Sequence, residues 1–283
     1  MAMPTDGGIP FFKMTGAGND FILVDNRDGR VDADHCRDWA SRACRRKLSV
    51  GADGLILIEN DEEVDFRWRF FNADGSEAEM CGNGARCAVR FARLSNIVSK
   101  PAMAFRTLAG VIRAEIQGER VRVLMTPPRD LNMDLSIRVE EKPFTVHFIN
   151  TGVPHAVAFV EDEEGLEALD VRGYGRAIRY HEKFRPAGAN ANFVHVFDEH
   201  SLRIRTYERG VEGETLACGT GCIAAALVAA RRGQAASPVE MRTRGGEILT
   251  VSFEGKEGDW GSVYMEGEAR VVYSGRLWDE TLK

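Results

Sequence analysis

The sequence predicts an α+β protein built from two halves of one plan, and three observations carry that prediction. Short alternating apolar runs bounded by Gly, Pro, Asn and Asp recur along the chain, as strands and hairpins do. Each half holds one main helical pattern, at 85–94 and at 222–231, in place of the regular strand–helix alternation of a doubly wound sheet. The stretch before each helix is repeated as well. Residues 71–87 read FNADGSEAEMCGNGARC and residues 207–222 read YERGVEGETLACGTGC, so each half runs through a strand, an acidic loop, Cys-Gly-x-Gly and a helix. A repeat on this scale is a diverged domain duplication, well beyond the period of a solenoid.

Taken in order, 11–14 and 21–25 read as short strands around the loop 15–20, whose glycines permit an unusual backbone path. That loop lacks the third glycine and the long following helix of a dinucleotide fingerprint, which excludes that assignment. Asp34 is placed to cap a helix through about Arg46, with Cys36 and Cys44 turned to the core as structural thiols. A turn at 51–54 leads into the apolar run 55–58, a buried strand, and 65–71 alternates Phe66, Trp68 and Phe70 against Asp65, Arg67 and Arg69. After the first cysteine helix come strands at 102–107, 111–116 and 121–125, and Pro127-Pro128 marks the expected domain boundary. The second half is read as strands at 145–150 and 155–160, a helix at 171–180, and strands at 191–196 and 201–207 before the second cysteine loop. Strands at 239–242, 248–253, 262–266 and 269–274 close it.

Composition narrows the function classes. The chain has 283 residues, 44% hydrophobic and 28% charged, the balance of a soluble globular protein with a substantial core. Its 37 basic and 43 acidic residues leave a net charge of -6, which argues against nucleic acid as a partner. Residues 1–10 lack the basic and apolar regions of a secretory leader, and the longest apolar run, 222–230, is too short to span a bilayer. A cytoplasmic enzyme that engages no membrane is the expectation. Its six cysteines are then thiols in place of a disulfide frame. No Cys-x-x-Cys pair with matching histidines suggests a metal.

Cys81 and Cys218 carry the chemistry, because each stands where a loop opens a helix. Unpaired amides of the first turn and the positive end of the helix dipole stabilise a thiolate there, and the following glycines let a carboxylate approach the same amides. Two thiols poised near neutrality suit proton transfer to and from opposite faces of one carbon, with preorganised donors stabilising the carbanion in place of a cofactor. A single covalent nucleophile, or a purely architectural tight turn, would use the same residues.

At these positions the chain resembles the diaminopimelate epimerase family. The resemblance rests on Thr15-Gly-Ala-Gly-Asn-Asp-Phe21, Phe71-Asn-Ala-Asp-Gly-Ser76 with Met80-Cys-Gly-Asn-Gly-Ala-Arg86, Gly188-Ala-Asn190, and Glu208-Arg-Gly210 with Ala217-Cys-Gly-Thr-Gly221. It implies an α+β, two-domain (α/β) fold in which two similar domains are related by pseudo-two-fold symmetry. Each is a mostly antiparallel sheet wrapped around a central helix, and the active site lies in the interdomain cleft. Because the family's last strand returns to the first domain, the implied domains are 9–126 with 268–283, carrying Cys81, and 127–267, carrying Cys218. The implied reaction interconverts LL- and meso-diaminopimelate without cofactor or metal, in lysine and peptidoglycan precursor synthesis, in an enzyme that is commonly a homodimer.

Carried over residue by residue, Cys81 and Cys218 would be the two bases, and Gly82, Asn83, Gly219 and Thr220 would face the reacting carboxylate. Asn19, Asn72, Asn190, Glu208 and Arg209 would hold the remaining amino and carboxylate groups, with His155 supporting the polar network. Outside the resemblance, Glu208-Arg209 reads as a loop ion pair and His155 as a structural histidine. The chain departs from many family members at Val153, where they have Asn, and from some at Gly54, where they have Gln; both bear on how the distal end of the substrate is held. The alternatives are a proline or hydroxyproline racemase-like enzyme, an isomerase of the phenazine-pathway type, and a non-enzymatic thiol redox protein. The Asn set with Glu208 and Arg209 argues against the first, since a cyclic monocarboxylate has no distal polar end. The presence of both cysteines argues against the second. A redox role would require reversible Cys81–Cys218 bonding.

Overall fold

The computed structural model describes residues 8–32, 34–139, 142–256, 259–278 and 280. Residues 1–7, on which most of the leader argument rests, lie outside the described residues. The chain divides into two compact units, Met1–Val123 with Gly267–Lys283, and Leu124–Glu266.

In the first unit the strands are β1 (Ile9–Gly16), β2 (Asn19–Asp25), β3 (Gly54–Glu59), β4 (Phe66–Asn72), β5 (Ala102–Thr107), β6 (Gly110–Gln117), β7 (Arg120–Leu124) and the returning β17 (Arg270–Leu277). They hydrogen-bond in the order β17-β1-β2-β3-β4-β5-β6-β7, with β2/β3 and β4/β5 parallel and the remaining pairs antiparallel. The second unit holds β8 (Arg129–Val139), β9 (Lys142–Asn150), β10 (Pro154–Phe159), β11 (Asn190–Asp198), β12 (Ser201–Glu208), β13 (Gly213–Thr215), β14 (Val239–Arg242), β15 (Ile248–Lys256) and β16 (Asp259–Glu268). Its order is β8-β9-β10-β11-β12-β14-β15-β16, with β10/β11 and β12/β14 parallel, and the short β13 pairs with the far end of β12. Strand for strand, the pairings of the two units match.

One helix lies against the inner face of each sheet: α2 (Gly82–Leu94) packs on β1, β2, β3 and β6, and α5 (Gly219–Arg231) on β9–β12, β14 and β15. Every residue of α5 from Gly221 to Ala229 is buried. A helix buried all round needs apolar or small side chains on every face, which is what Gly-Cys-Ile-Ala-Ala-Ala-Leu-Val-Ala supplies. The outer face of the first sheet is covered by α1 (Cys36–Ala43), which packs with Ile22, Val24, Leu55 and Leu57. In the second unit α3 (Glu163–Ala168) and α4 (Val171–Arg179) cover Ala156, Ala158, Ala191 and Phe193. Covering on both faces explains why β3 is a continuous apolar run, since alternate residues enter different cores. No helix among the described residues is long and apolar enough to cross a membrane.

Several local expectations are corrected. The segment 15–20 is a tight hairpin turn in place of a loop: Ala17 and Gly18 both take positive φ, 50° and 86°, and β1 and β2 run up to it on either side. Two successive positive φ values match the right-handed twist of the flanking strands. Asp34 does not cap α1; the capping position is His35, with no side-chain cap, and the helix ends at Ala43. Strand β8 and helix α3 were absent from the sequence prediction. Along β8 Leu131, Met133, Leu135, Ile137 and Val139 alternate with polar residues and the last two are buried, a strand signal the sequence reading passed over; the register with β9 shifts twice, and Asp130 and Asp134 have positive φ.

Candidate active site

Both cysteines are the capping residues of the central helices, as their position before Gly-x-Gly requires. Cys81 has extended backbone (φ -144°, ψ 120°) and its Sγ accepts a hydrogen bond from the Gly84 amide at 3.5 Å. Cys218 is also extended (φ -129°, ψ 106°), but its side chain makes no capping bond. Its Sγ instead lies 3.6 Å from Thr220 Oγ1. The helices open without acidic residues in the first turn, so nothing there opposes an anionic sulfur.

In the first unit the helix start is wired to the β1–β2 hairpin. Asn83 is buried; its Nδ2 donates to Asn19 Oδ1 at 2.8 Å and to the Ala17 carbonyl at 3.3 Å, while its Oδ1 accepts from Arg86 at 2.8 Å. Asn19 Nδ2 in turn donates to Asp53 Oδ2 at 2.9 Å, and Arg46 binds the other oxygen of Asp53 and both oxygens of Asp20. Gly82 begins the helix, half-buried. Asn72 ends β4 on the surface, with Nδ2 donating to Ser76 Oγ at 3.0 Å, outside that network. Gly54 stands where Phe70 leaves no room, since a Cβ would lie 2.5 Å from Phe70 Cε2 and 2.6 Å from the Phe71 carbonyl oxygen.

The second unit brings His155, Asn190, Thr220 and Arg209 together. Strand alternation sends Ala191 and Phe193 outward, so Asn190 and Asn192 face the start of α5, and His155 on β10 is in register with Asn190. His155 Nε2 is 3.0 Å from Thr220 Oγ1 and its Nδ1 is 3.1 Å from Asn192 Nδ2. Burial first, and the nearby Arg209 charge second, lower the His155 pKa to about 3, so the imidazole is neutral at physiological pH. The Arg209 amide donates to Asn190 Oδ1 at 2.7 Å. Burial pushes the Glu208 carboxyl above its usual range, opposed by a bond to Thr215. Gly219 is the half-buried first residue of α5, and the Thr220 carbonyl accepts from Thr151 Oγ1 at 2.9 Å. Val153, half-buried, caps the 151–153 turn with its carbonyl.

Four contributing residues were missed from sequence: Asp53, Arg86, Asn192, and Thr206 on β12, whose hydroxyl donates to Asn192 Oδ1 at 3.0 Å. Asn192 had a signal, because two asparagines two apart on a strand share a face. Arg86 did not; a fully buried arginine inside a helix pattern looks like a surface residue until its Asn83 and Gly82 carbonyl partners are seen.

A model of the family described as diaminopimelate epimerase matches residues 11–131 and 147–272. The diaminopimelate epimerase of Aquifex aeolicus is 46% identical over 96% of this chain and 99% of its own, and that of a Hydrogenobaculum species 47% identical over 94% and 97%. Among solved structures, a phenazine biosynthesis protein of the PhzF family from Bacillus anthracis superposes with a TM-score of 0.73 at 15% identity, covering 95% of this chain and 98% of that one. A hydroxyproline epimerase from Agrobacterium vitis gives 0.67 at 14%, covering 98% and 94%. At such identities the structural likeness speaks to fold alone, and it is the α+β fold of this chain.

Proposed function

Since the chain belongs to the diaminopimelate epimerase family and is thereby an isomerase, we propose that it interconverts LL- and meso-diaminopimelate by proton transfer between Cys81 and Cys218. One thiolate removes the α-proton and the other thiol delivers a proton to the opposite face, with the roles exchanged in the reverse direction. The observation that supports this most is the matched placement of the two sulfurs, each on the capping residue of a buried helix that opens with Gly-x-Gly. The first-turn amides of α2 and α5 are the donors for the reacting carboxylate as it gains carbanion charge, which is how the reaction proceeds with no cofactor.

Asn83 and Thr220 stand at equivalent positions, and we assign them with Gly82 and Gly219 to the reacting carboxylate. Asn19, Asn72, Asn190, Glu208 and Arg209 are assigned to the distal amino and carboxylate groups. Arg209 suits a carboxylate through its planar fork. The expected setting is the cytoplasm, in lysine and peptidoglycan precursor synthesis, as a homodimer with neither nucleic acid nor membrane as partner.

The test is proton NMR of the reduced protein with LL-diaminopimelate in deuterium oxide, beside L-proline. Loss of the α-proton signal with appearance of the meso isomer, and no exchange in proline, is the expected result. Exchange in proline with none in diaminopimelate would move the assignment to a racemase of cyclic amino acids.

A further inference from the structure

We propose that Asn192 is a positioning residue for the Cys218 thiol: it fixes the tautomer of His155, and through Thr220 that tautomer turns a hydroxyl hydrogen toward the sulfur. The proposal rests on Cys218 being a base in the reaction above and names a residue that acts on it without touching substrate.

Proton bookkeeping carries the step. Asn192 Nδ2 has two hydrogens, and its orientation is set by the Ala156 carbonyl, which it meets at 3.1 Å, and by Thr206 Oγ1, which donates to Asn192 Oδ1 at 3.0 Å. The second Nδ2 hydrogen then points at His155 Nδ1, 3.1 Å away, so Nδ1 must be the acceptor. A neutral imidazole accepting at Nδ1 carries its proton on Nε2, and that N–H donates to Thr220 Oγ1 at 3.0 Å. Because Thr220 Oγ1 accepts from His155, its own hydrogen is available to Cys218 Sγ at 3.6 Å. With the opposite tautomer, Nε2 would claim the Thr220 hydrogen. Asn190 Nδ2, 3.5 Å from Nε2 with its Oδ1 held by the Arg209 amide, is a donor that would favour that opposite tautomer if Asn192 were absent.

The first unit shows what the same scaffold looks like without this relay. Register places Leu23, Ile56 and Phe70 on β2, β3 and β4 where Val157, Asn192 and Thr206 stand on β10, β11 and β12, and Phe21 where His155 stands. The equivalence extends to the helices: a Cβ on Gly84 would lie 3.2 Å from Ile56 Cδ1, and one on Gly221 2.4 Å from Asn192 Oδ1. So the apolar version of this core is known to pack, and polar groups replace it only beside Cys218. Buried polar groups cost stability unless fully paired, and here each is paired in one direction toward the sulfur. Cys81 receives its hydrogen bond from the Gly84 amide instead, so the two thiols are held by different donors.

Two measurements test the relay, and neither needs substrate. Long-range proton–nitrogen correlation on the wild-type protein should show His155 protonated at Nε2 and bare at Nδ1; the reverse tautomer, or an imidazolium at neutral pH, overturns the proposal. Alkylation by iodoacetamide at pH 7, read by peptide mass spectrometry, compares Cys218 with Cys81 in the same molecule. Asn192→Leu should lower the Cys218:Cys81 rate ratio about three- to tenfold, the loss of one charge-assisted hydrogen bond tempered by the higher nucleophilicity of a more basic thiolate. Thr220→Val should lower it equally, Thr220→Ser should keep it, and adding Asn192→Leu to Thr220→Val should lower it no further. An unchanged ratio in Thr220→Val, or independent losses in the double variant, overturns the relay; if Asn192→Leu does not fold, the Thr220 pair and the wild-type tautomer decide. A protein that passes these tests yet leaves diaminopimelate untouched keeps the relay and loses the proposed reaction.

Discussion

At the scale of single residues, the two sulfurs are predicted to be indispensable and the other thiols not. Cys81→Ala and Cys218→Ala should each lower kcat by about a thousandfold, within the range of a lost general acid or base, while far-ultraviolet circular dichroism stays that of the parent. Cys36→Ala, at the start of α1 with its side chain in the core, should keep kcat to within a few fold. His155 makes a separate prediction through pH. Its folded pKa of about 3 lies below the ordinary value near 6.5, so the unfolded chain binds the extra proton between those values and stability rises with pH across that window. Urea unfolding at pH 4 and pH 7 should therefore show a smaller pH difference for His155→Gln than for wild type, by up to about 1.4 kcal/mol per pH unit inside the window. Equal differences would mean that His155 is not held neutral by the fold.

At the scale of elements, the helix starts are where glycine is required for a reason visible in the packing. Gly221→Ala would drive a Cβ into Asn192 Oδ1, a fixed and hydrogen-bonded atom, whereas Gly84→Ala meets a methyl group of Ile56 that can turn aside. Thermal unfolding should show the first costing about 1–3 kcal/mol and the second less than about 1 kcal/mol. Gly54→Gln, which would restore the residue that some family members carry, should destabilise by a similar 1–3 kcal/mol, because Phe70 occupies the space. The same local physics decided which elements were legible. β3 and β4 could be read from Leu55 to Ile58 and from the Phe66, Trp68, Phe70 alternation because their faces are covered. β8 carried the same period-2 signal in Leu131, Met133, Leu135, Ile137 and Val139, with Ile137 and Val139 buried, but it follows Pro127-Pro128, which read as a break between domains. The central helices were placed from Ala85 and Cys222 onward but begin at Gly82 and Gly219, because Gly-x-Gly reads as a turn and its helical geometry comes from the packed strands beneath.

At the scale of the molecule, the duplication was legible because both copies of the cysteine loop kept their order of strand, loop, glycines and helix. The divergence between the copies was not. That Ile56 and Asn192 are counterparts follows only from strand register, and register depends on pairings far apart in sequence. Much of the candidate binding set was likewise named from motif resemblance, while Asp53, Arg86, Asn192 and Thr206 needed the fold, since each acts by touching a residue distant in the chain. The central claim is that two thiols share one proton transfer, and the fate of solvent deuterium in the first turnovers tests it most directly. With LL-diaminopimelate in deuterium oxide, the meso product should carry deuterium at the inverted carbon from the start while recovered LL substrate carries none, because the proton removed stays on one sulfur as the other delivers deuterium. Deuterium entering recovered substrate as fast as product would contradict the account and point to a single base.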